Sequence, residues 1–359
     1  MTPLPPGARI GILGGGQLGR MLALAAAPLG YRCHIFGPEE APPAGHVAEA
    51  VTIADYLDDE ALGEFAEAVD VVTLEFENVP AAALEILAQR VPVRPGVKAL
   101  ATAQDRLVEK DFANSVGAAT APYAAVDGLD DLQAAMAKIG PRAVLKTRRM
   151  GYDGKGQVML NQNADLDQAW QAMSGTPAIL EGFIPFDGEV SVIAARGLDG
   201  TVSAYPPIAN RHRDHILDIS TVPAELSAAQ ADRAIAIAAD LATALDYIGI
   251  LAVEMFVTGE ELLVNEIAPR VHNSGHWSIE GAVTSQFEQH IRAICGLPLG
   301  SMAIRGQVEM RNLIGHDVNQ LPDLLAQPGA HVHLYGKTEV RKGRKMGHVT
   351  YLKTEADTP

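Results

Sequence analysis

The chain has 359 residues, of which 48% are hydrophobic and 20% are charged, a composition that supports two or three folded domains and excludes a disordered or fibrous protein. Its 44 acidic and 28 basic residues give a formal net charge of −16, which argues against general binding to nucleic acid or anionic membranes. The cysteine content, 2 residues, excludes a disulfide framework and a zinc-thiolate cluster. With no secretory leader or apolar membrane span in the sequence, we expect a soluble cytoplasmic protein.

The first hundred residues predict a doubly wound α/β unit. A strand over residues 9–13, a glycine turn and a helix over 18–29 open it, and further predicted elements are strands 31–36 and 69–76 and helix 81–89. Pro92 and Pro95 follow, and proline pairs are typical of the end of a folded segment. We therefore expect the first domain to comprise residues 1–103.

The remaining chain predicts helices mixed with short strands rather than a regular alternation. The predicted helices are 103–115, 130–139 and 228–245, and the predicted strands are 143–147, 176–181, 189–195, 202–205, 251–256, 261–267, 332–335 and 348–352. We expect a central domain over residues 104–297, with a lid subdomain over about 115–185, and a small strand-rich domain over 298–359.

The glycine turn fits the pattern G-x-G-x-x-G between a strand and a helix, where backbone amides can approach a phosphate closely. Binding of a dinucleotide by this turn needs an acidic residue at the end of the second strand, and this chain has Phe36-Gly37-Pro38 there. Gln17 at the start of the helix favours another ligand. The alternative is that the glycines only allow tight packing of helix on strand.

Two glutamates are predicted to face each other across a hairpin. A three-residue loop, residues 259–261, would place Glu254 opposite Glu266 and Phe256 opposite Val264. Like charges about 5 Å apart destabilise a sheet unless a hard divalent cation lies between them. We therefore predict a magnesium site, with Asn265 as a neighbouring oxygen donor; the alternative is a pair of solvated glutamates.

A second glycine-rich segment, residues 146–157, follows a predicted strand and carries several cations. Its composition is typical of a mobile flap that closes over a polyphosphate, with Lys146 placed to contact phosphate oxygens. The sequence lacks G-x-x-x-x-G-K-[ST], which excludes a P-loop.

Together, Gln104-Asp105-Arg106, the Lys146 strand, the 151–157 loop, Phe186-Asp187-Gly188-Glu189 and Asn265-Glu266-Ile267-Ala268-Pro269-Arg270 resemble the ATP-grasp carboxylate–amine ligases. Within that superfamily, segments 74–80, 272–277 and 343–348 are similar to the N5-carboxyaminoimidazole ribonucleotide synthetase family of purine biosynthesis. The resemblance implies an ATP-grasp fold, α/β and α+β, with an N-terminal Rossmann-like pre-ATP-grasp domain and a small strand-rich C-terminal domain.

The resemblance also implies an activity and its partners. The family condenses 5-aminoimidazole ribonucleotide with bicarbonate through carboxyphosphate, giving the N5-carboxy product, ADP and phosphate. ATP is the co-substrate, and Mg²⁺, or Mn²⁺ in its place, is the metal. The partners implied are these small molecules and a second copy of the chain, in a homodimer, with no nucleic acid and no membrane.

Site residues are carried over from the family position by position. Glu254 and Glu266 fall where the family binds magnesium, in agreement with the hairpin argument. The residues implied to contact ATP are Arg106, Lys146, Gly151, Tyr152, Asp153, Gly154, Lys155, Gly156, Gln157, Glu181, Gly182, Phe183, Ile184, Glu189, His212, Asn265 and Glu266.

The ribonucleotide and the reacting groups involve other residues. Four cations within residues 341–345 could bind a ribose 5′-phosphate, the alternative being a solvated basic run. The residues implied to bind the ribonucleotide are Gly16, Gln17, Leu18, Glu77, Asn78, Tyr152, His276, Arg344 and Lys345. The residues implied in catalysis are Arg270, His272, Asn273, Lys155 and Asp153, and the base that accepts the amine proton is left open.

The sequence departs from the family pattern at Met150, where the family has glycine, and at Val271 and Lys155. These changes concern the geometry of the flap more than the reaction. The alternatives are a related ligase that activates formate or another acid, a regulatory protein that binds ATP without turnover, and an NAD-dependent oxidoreductase.

Overall fold

The computed structural model describes residues 2–151 and 154–353. The N-terminal unit comprises β1 Arg9–Leu13, α1 Gln17–Ala26, β2 Arg32–Gly37, β3 Ala50–Ile53, α2 Asp59–Glu67, β4 Val71–Leu74, α3 Ala81–Ala88 and α4 Val97–Ala103. Its strands are parallel and lie in the order β3, β2, β1, β4. The predicted α/β unit is confirmed, and β3, α2 and α4 are additions that the sequence analysis did not identify.

Apolar side chains on both faces of the parallel sheet explain why helices cover it on two sides. Ile12 of β1 is buried on one face, and the next residue, Leu13, lies with Phe65 of α2 in a cluster on the other face. The cluster around Ile12 also contains Trp277 and Phe287 from the second half of the chain. The N-terminal unit therefore shares a continuous core with the rest of the protein.

A second, antiparallel sheet follows. This part of the chain comprises α5 Arg106–Ser115, β5 Tyr123–Val126, α6 Leu129–Ile139, β6 Ala143–Thr147, β7 Gln157–Leu160, α7 Leu166–Ala172 and β8 Ala178–Gly182. The strands lie in the order β5, β8, β6, β7. Leu132 of α6 and Ala169 of α7 pack on this sheet in a core of its own.

The third sheet is the largest, with nine strands among the described residues. The remaining elements are β9 Gly188–Arg196, β10 Val202–Ala204, β11 Ile208–Arg213, β12 Ile216–Val222, α8 Ala228–Ala244, β13 Gly249–Thr258, β14 Glu261–Ala268, α9 Ser278–Gly281, α10 Gln286–Cys295, β15 Gln307–Ile314, α11 Leu321–Leu325, β16 Ala330–Leu334 and β17 Lys345–Lys353. The order is β14, β13, β9, β11, β12, β15, β17, β16, with β10 paired to β9.

The C-terminal strands belong to this same sheet because β15 pairs with β12. The predicted boundary near residue 298 thus divides chain segments that share one sheet. The bounds of the three domains stay predictions. Across the described residues, none of the helices combines the length and the apolar character that a membrane span requires.

The predicted helix over residues 103–115 is confirmed as α5 over Arg106–Ser115, but its predicted start is wrong, because Ala103 is the last residue of α4. The carboxylate of Asp105 caps α5 by accepting a hydrogen bond from the backbone N–H of Leu107 at 3.0 Å. It also accepts from Arg148 Nε at 2.9 Å and Nη2 at 2.8 Å. An aspartate in the N-cap position starts a new helix, so the chain changes direction there.

His290 of α10 links the N-terminal sheet to the large sheet. Its Nδ1 accepts a hydrogen bond from the backbone N–H of Ile250 at 3.1 Å, so the ring proton is on Nε2, which lies 2.8 Å from Thr73 Oγ1. The imidazole is completely buried, and this burial lowers the pKa of His290 to about 3.

We expect His290→Gln to remove part of the acid sensitivity of the protein. The unfolded chain protonates His290 below pH ~6.5, but the native state does so only near about 3, so stability is lost as the pH falls through this window. One such group lowers the free energy of unfolding by ~1.4 kcal/mol for each pH unit below ~6.5, or by about 2 kcal/mol between pH ~6.5 and ~5. Urea unfolding at about pH 7.5 and about pH 5 measures this difference between wild type and variant.

The exposed His316 supplies the control, because His316→Gln should keep the wild-type dependence of unfolding free energy on pH. If His290→Gln showed the same pH dependence as wild type, the buried neutral state of His290 would be disproved.

Candidate active site

A cavity of about 1420 Å³ is lined by residues from the two antiparallel sheets and from two segments of the N-terminal unit, residues 16–18 and 75–78. The structure brings most of the predicted site residues to its wall, while Tyr152 and Asp153 lie outside the described residues. The predicted residues that line it are Gly16, Gln17, Leu18, Glu77, Asn78, Arg106, Lys146, Gly151, Gly154, Lys155, Gln157, Glu181, Gly182, Phe183, Ile184, Glu189, His212, Glu254, Asn265, Glu266, Arg270, His272, Asn273 and Lys345.

Glu254 and Glu266 lie directly opposite each other on β13 and β14, as predicted. Burial and the nearby charge of Glu266 raise the pKa of Glu254 to about 7. Arg106 Nη1 lies 3.4 Å from Glu266 Oε2 and partly offsets the repulsion. Two facing carboxylates at the wall of a cavity are a donor set that suits a hard divalent cation.

The predicted register of this hairpin is wrong beyond the glutamate pair. Met255 pairs with Val264, which leaves Asn265 as the extra residue of a β-bulge. Because the bulge takes up one residue, the turn contains residues 259–260 instead of the predicted three. The Oδ1 atom of Asn265 is buried and has no hydrogen-bond partner within residues 2–151 and 154–353.

His272 contacts the glutamate pair from the loop after β14. Its Nε2 lies 3.2 Å from Glu254 Oε1, and its Nδ1 accepts from the backbone N–H of Ser274 at 3.3 Å. Burial, reinforced by the charge of Arg270, lowers the pKa of His272 to about 3, so the ring is neutral. A neutral ring that accepts at Nδ1 carries its proton on Nε2, facing Glu254.

Lys146, Lys110 and Glu181 form a buried ionic cluster, in which Lys146 and Glu181 line the cavity and Lys110 does not. Glu181 Oε2 accepts from Lys146 Nζ at 2.9 Å and lies 3.4 Å from Lys110 Nζ. Burial opposes the charge of Glu181, but the two ammonium groups outweigh it and lower the pKa of the carboxyl. Lys110 Nζ also donates to the backbone carbonyl of Asn265 at 3.2 Å, so this cluster is tied to the strand of the glutamate pair.

Arg270 and Glu77 form an ion pair at the side of the cavity near the N-terminal unit. Burial opposes ionisation of Glu77, but the charge and the hydrogen bond of Arg270 outweigh it and lower the pKa of Glu77 to about 2. Gln104 Nε2 donates to the backbone carbonyl of Glu77 at 2.8 Å and thereby fixes the segment. A residue predicted to act in catalysis and one predicted to bind substrate are therefore direct partners.

The glycine turn holds a side-chain carboxylate at the start of α1. Glu75 Oε1 accepts from the backbone N–H of Gly16 at 2.8 Å, and its Oε2 accepts from those of Leu18 and Gly19, each at 3.1 Å. These amides are the donors that would bind the pyrophosphate of a dinucleotide. Because Glu75 occupies them, the geometry argues against the oxidoreductase alternative.

Two lysines extend the cavity wall on the C-terminal side. Lys345, at the start of β17, lines the cavity together with Lys337. Lys337 Nζ donates to Gln17 Oε1 and, at 2.7 Å, to the backbone carbonyl of Lys345. The structure thus places Gln17 and the basic segment side by side.

The backbone of the flap favours glycine at position 150, the residue that the family resemblance leads us to expect there. Met150 adopts a φ of 63°, in the left-handed region, and its side chain is exposed. Glycine reaches this conformation without a steric penalty, whereas a residue with a Cβ does not. Gly154, with a φ of 77°, has the same requirement on the other side of the residues that are not described.

Of the predicted site residues within 2–151 and 154–353, three do not line the cavity. His276 is completely buried behind it, and its Nδ1 pairs with Gln286 Nε2 at 3.0 Å. Arg344 donates to the backbone carbonyl of Glu339 at 2.9 Å. The carbonyl of Gly156 accepts from the backbone N–H of Thr147 at 2.8 Å within the flap. The geometry does not support direct contact of the His276 or Arg344 side chains with a ligand there.

The sequence analysis missed Lys110, Glu75 and Lys337. Lys110 could have been predicted from the sequence, because Arg106, Glu109 and Lys110 follow the i, i+3, i+4 spacing that places charges on one helix face. Glu75 and Lys337 act through partners distant in sequence, and no local pattern indicates them.

Three family models match the chain in succession. They are the ribonucleotide synthetase preATP-grasp domain over residues 8–104, the ATP-grasp domain over residues 111–287 and the phosphoribosylaminoimidazole carboxylase C-terminal domain over residues 309–358. The predicted ATP-grasp fold with a preceding Rossmann-like unit is thereby confirmed.

Curated relatives cover the whole chain. An N5-carboxyaminoimidazole ribonucleotide synthase from Brucella melitensis is 51% identical over 98% of this chain and 98% of its own length. A bifunctional purine synthesis protein from Dictyostelium discoideum is 49% identical over 97% of this chain, which spans 37% of that longer protein.

Solved structures agree with these relatives. An N5-carboxyaminoimidazole ribonucleotide synthetase from Thermus thermophilus is 50% identical, with a TM-score of 0.91 over 97% of this chain and 94% of that one. A synthase from Aspergillus clavatus, solved with ADP and 5-aminoimidazole ribonucleotide, is 31% identical, with a TM-score of 0.91 over 98% and 96% of the two chains. With the site geometry, these likenesses lead to one conclusion: the chain belongs to the N5-carboxyaminoimidazole ribonucleotide synthase family of ATP-grasp ligases.

Proposed function

We propose that this enzyme carboxylates 5-aminoimidazole ribonucleotide with bicarbonate and ATP, through carboxyphosphate, to give N5-carboxyaminoimidazole ribonucleotide, ADP and phosphate in purine biosynthesis. The observation that carries the proposal is that three groups of residues, each suited to a different ligand, line one cavity. A facing glutamate pair, a buried lysine–glutamate cluster and a wall with the glycine turn and Lys345 all line it. An ATP-dependent ligase needs these three for metal, nucleotide and acceptor substrate.

The first step activates bicarbonate. A bicarbonate oxygen attacks the γ-phosphorus of ATP, the bond to the β,γ-bridging oxygen breaks, and carboxyphosphate and ADP form. Negative charge spreads over the transferring phosphoryl group, so cationic side chains around it lower the barrier. Lys146, Arg106 and Arg270 line the cavity and are the residues proposed to supply that charge.

The second step transfers the carboxyl group. The exocyclic amine nitrogen attacks the carboxyl carbon, the carbon–oxygen bond to phosphate breaks, and the nitrogen loses a proton. Carboxyphosphate must be shielded from water during this step. The 151–157 flap, with Gly151, Gly154 and Lys155 at the cavity wall, is the segment proposed to cover it.

The residues present fit a magnesium ion. Glu254 and Glu266 face each other, and Asn265 adds a buried oxygen that lacks a partner in the described part of the chain. All three offer hard oxygen donors, and no group of three His, Cys, Asp or Glu residues within 2–151 and 154–353 forms a metal cage by itself. Bound there, Mg²⁺, or Mn²⁺ in its place, would neutralise phosphate charge.

The deciding experiment follows labelled bicarbonate into product. Enzyme, Mg-ATP, 5-aminoimidazole ribonucleotide and ¹³C-bicarbonate are mixed, ADP release is measured, and the label is observed by NMR. A ¹³C carbamate signal that appears together with ADP supports the proposal. Glycinamide ribonucleotide with formate is the control mixture.

Two other outcomes would refute the proposed reaction. Turnover only in the control mixture would assign the chain to a formate-activating ligase, and binding of ATP without ADP release in either mixture would favour a regulatory nucleotide-binding protein.

We expect Lys345→Ala chiefly to raise the KM for the ribonucleotide. Lys345 lines the cavity beside Gln17 and Lys337, the wall proposed for the ribose 5′-phosphate. Loss of one charge-assisted hydrogen bond, worth ~1.5–3 kcal/mol, predicts a KM about 10- to 100-fold higher with little change in the KM for ATP. Steady-state kinetics with each substrate varied in turn measures both values.

The matched control is Lys342→Ala, because Lys342 belongs to the same basic segment but is exposed and lies away from the cavity wall. It should leave both KM values within about twofold of wild type. A selective rise in the KM for ATP in Lys345→Ala would refute the assignment of this wall to the ribonucleotide.

The homodimer and the cytoplasmic location are proposed from the family resemblance. Sedimentation equilibrium of the purified chain tests the dimer, and a monomer throughout the micromolar range would contradict it.

A further inference from the structure

The side-chain amide of Gln286 forms two hydrogen bonds with the backbone of His272. Gln286 Oε1 accepts from the His272 N–H at 2.9 Å, and Gln286 Nε2 donates to the His272 carbonyl at 2.7 Å. The same Nε2 lies 3.0 Å from His276 Nδ1. Gln286 is completely buried at the start of α10, so water cannot replace these bonds. Both peptide groups that flank the Cα of His272 are therefore fixed by one side chain.

These partners determine the orientation of the amide. The His272 N–H can only donate and the His272 carbonyl can only accept, so Oε1 and Nε2 of Gln286 cannot exchange places. Gly275 packs against the same amide, and a Cβ there would lie 2.6 Å from Gln286 Oε1. The loop and the glutamine thus fit each other in a single arrangement.

A one-way hydrogen-bond chain fixes the imidazole of His272. Ser191 Oγ donates to Ser274 Oγ at 2.8 Å, and since each hydroxyl has one proton, Ser274 Oγ donates to His272 Nδ1 at 2.9 Å. The ring proton therefore stays on Nε2, which faces Glu254 Oε1 at 3.2 Å. The two backbone bonds from Gln286 and the hydroxyl chain together hold Nε2 beside one carboxylate of the facing pair.

We infer that Gln286 is a positioning residue of this active site, which acts through the backbone of His272 to hold the imidazole against Glu254. Gln286 does not line the cavity, and its effect on turnover is indirect. The inference rests on the proposed function, since Glu254 and His272 are site residues only if the cavity binds metal and nucleotide. Outer partners of this kind typically change activity about 10- to 100-fold when they are removed.

Gln289, on the same helix, is a matched control. Its Oε1 accepts from the backbone N–H of Gly300 at 2.8 Å, and its Nε2 donates to the carbonyl of Gly300 at 2.6 Å. It is also completely buried, and Gly300 does not line the cavity. The two glutamines therefore make the same pair of backbone bonds, one to a predicted catalytic residue and one to a remote loop.

The experiment compares Gln286→Met with Gln289→Met, which remove the same amide with little change in side-chain volume. Each variant leaves one backbone N–H and one backbone carbonyl without their partner, and Gln286→Met also removes the partner of His276 Nδ1, so both should lower the thermal midpoint, Gln286→Met by the larger amount. We expect kcat for ADP release to fall about 10- to 100-fold in Gln286→Met and less than about threefold in Gln289→Met. The pair Gln286→Glu and Gln289→Glu, which keeps the acceptor and loses the donor, serves if a methionine variant does not fold.

A spectroscopic measurement tests the inference without turnover. The ¹⁵N shifts of the His272 ring, assigned by loss of signal in His272→Asn, should show the Nε2–H tautomer in wild type and in Gln289→Met, and tautomer averaging in Gln286→Met. Equal losses of kcat in the two methionine variants, or an unchanged His272 tautomer in Gln286→Met, would overturn the inference. If wild type does not release ADP, the proposed function fails, and the ring shifts still decide whether Gln286 positions His272.

Discussion

Glu266→Gln is expected to abolish ATP turnover and to leave the fold intact. The variant keeps the shape of the side chain but removes one of the two charges proposed to hold the metal. A metal ion contributes several kcal/mol to the stabilisation of phosphoryl transfer, so ADP release should fall at least about 100-fold, even at saturating magnesium.

Glu266→Gln should lose ADP release without a matching loss in the free energy of unfolding. Glu254 and Glu266 are paired across the hairpin, and like charges in such a pair are destabilising by ~0.2–1 kcal/mol. Glu266→Gln removes this repulsion, which stabilises the fold, and also removes the charge that Arg106 contacts at 3.4 Å, which destabilises it. The free energy of unfolding should therefore stay within about 1 kcal/mol of wild type, as urea titration without metal can measure.

Glu261→Gln is the matched control, because it removes the same charge from an exposed position on the same strand. It should retain wild-type ADP release. Turnover by Glu266→Gln at the wild-type rate with saturating magnesium would exclude Glu266 as a metal ligand.

Arg270→Met is expected to cost both turnover and stability, since it removes a proposed phosphoryl contact and leaves Glu77 without its partner. The pKa of Glu77 lies at about 2 instead of the ordinary 4.5, a difference worth ~3 kcal/mol at neutral pH. Partial solvent access, 16% for the side chain of Arg270 and 25% for that of Glu77, reduces this to ~2–3 kcal/mol. ADP release should fall at least about 100-fold.

The pH effect has the same sign as that of His290, because both contributions are lost on acidification, but it lies in a lower pH window. A carboxyl with a depressed pKa stabilises the native state above about pH 4.5 and loses this contribution as the pH falls towards about 2. In Arg270→Met, this part of the acid dependence of unfolding should disappear.

A double variant separates the two losses. Glu77→Gln/Arg270→Met removes both charges, so no unpaired carboxylate remains, and most of the stability should return while ADP release stays low. Recovery of turnover together with stability would show that Arg270 serves the fold alone.

The strand that carries Lys146 and the hairpin that carries Glu254 and Glu266 could be predicted from sequence, because each depends on residues that are close together in the chain. The apolar run of residues 143–147 carries Lys146 at its end, and the structure has that strand with the same bounds. The facing glutamates follow from strand alternation and a short turn, which depend only on neighbouring residues. The register beyond them was wrong because the bulge at Asn265 compensates a shorter turn, and both changes keep the glutamates opposite each other.

Strands β11 and β12 were not predicted, although His212 lies on β11. Polar and charged residues fill most of the segment Ile208–Arg213, so it lacks an apolar alternation. It forms a strand because β9 and β12 pair with it on both sides. There the hydrogen bond of His212 Nδ1 with Glu189 Oε2, 2.6 Å long, joins two strands across the cavity wall.

The sequence by itself determined the family, the kinds of side chain in the site and the facing glutamate pair, because motifs and strand alternation are properties of neighbouring residues. Only the tertiary structure decided that Glu75 fills the amides of the glycine turn, that Arg270 pairs with Glu77, and that His276 lies behind the cavity. These facts depend on pairs separated by tens to hundreds of residues, and burial selects such pairs because a buried charge or amide must find a partner when the core closes.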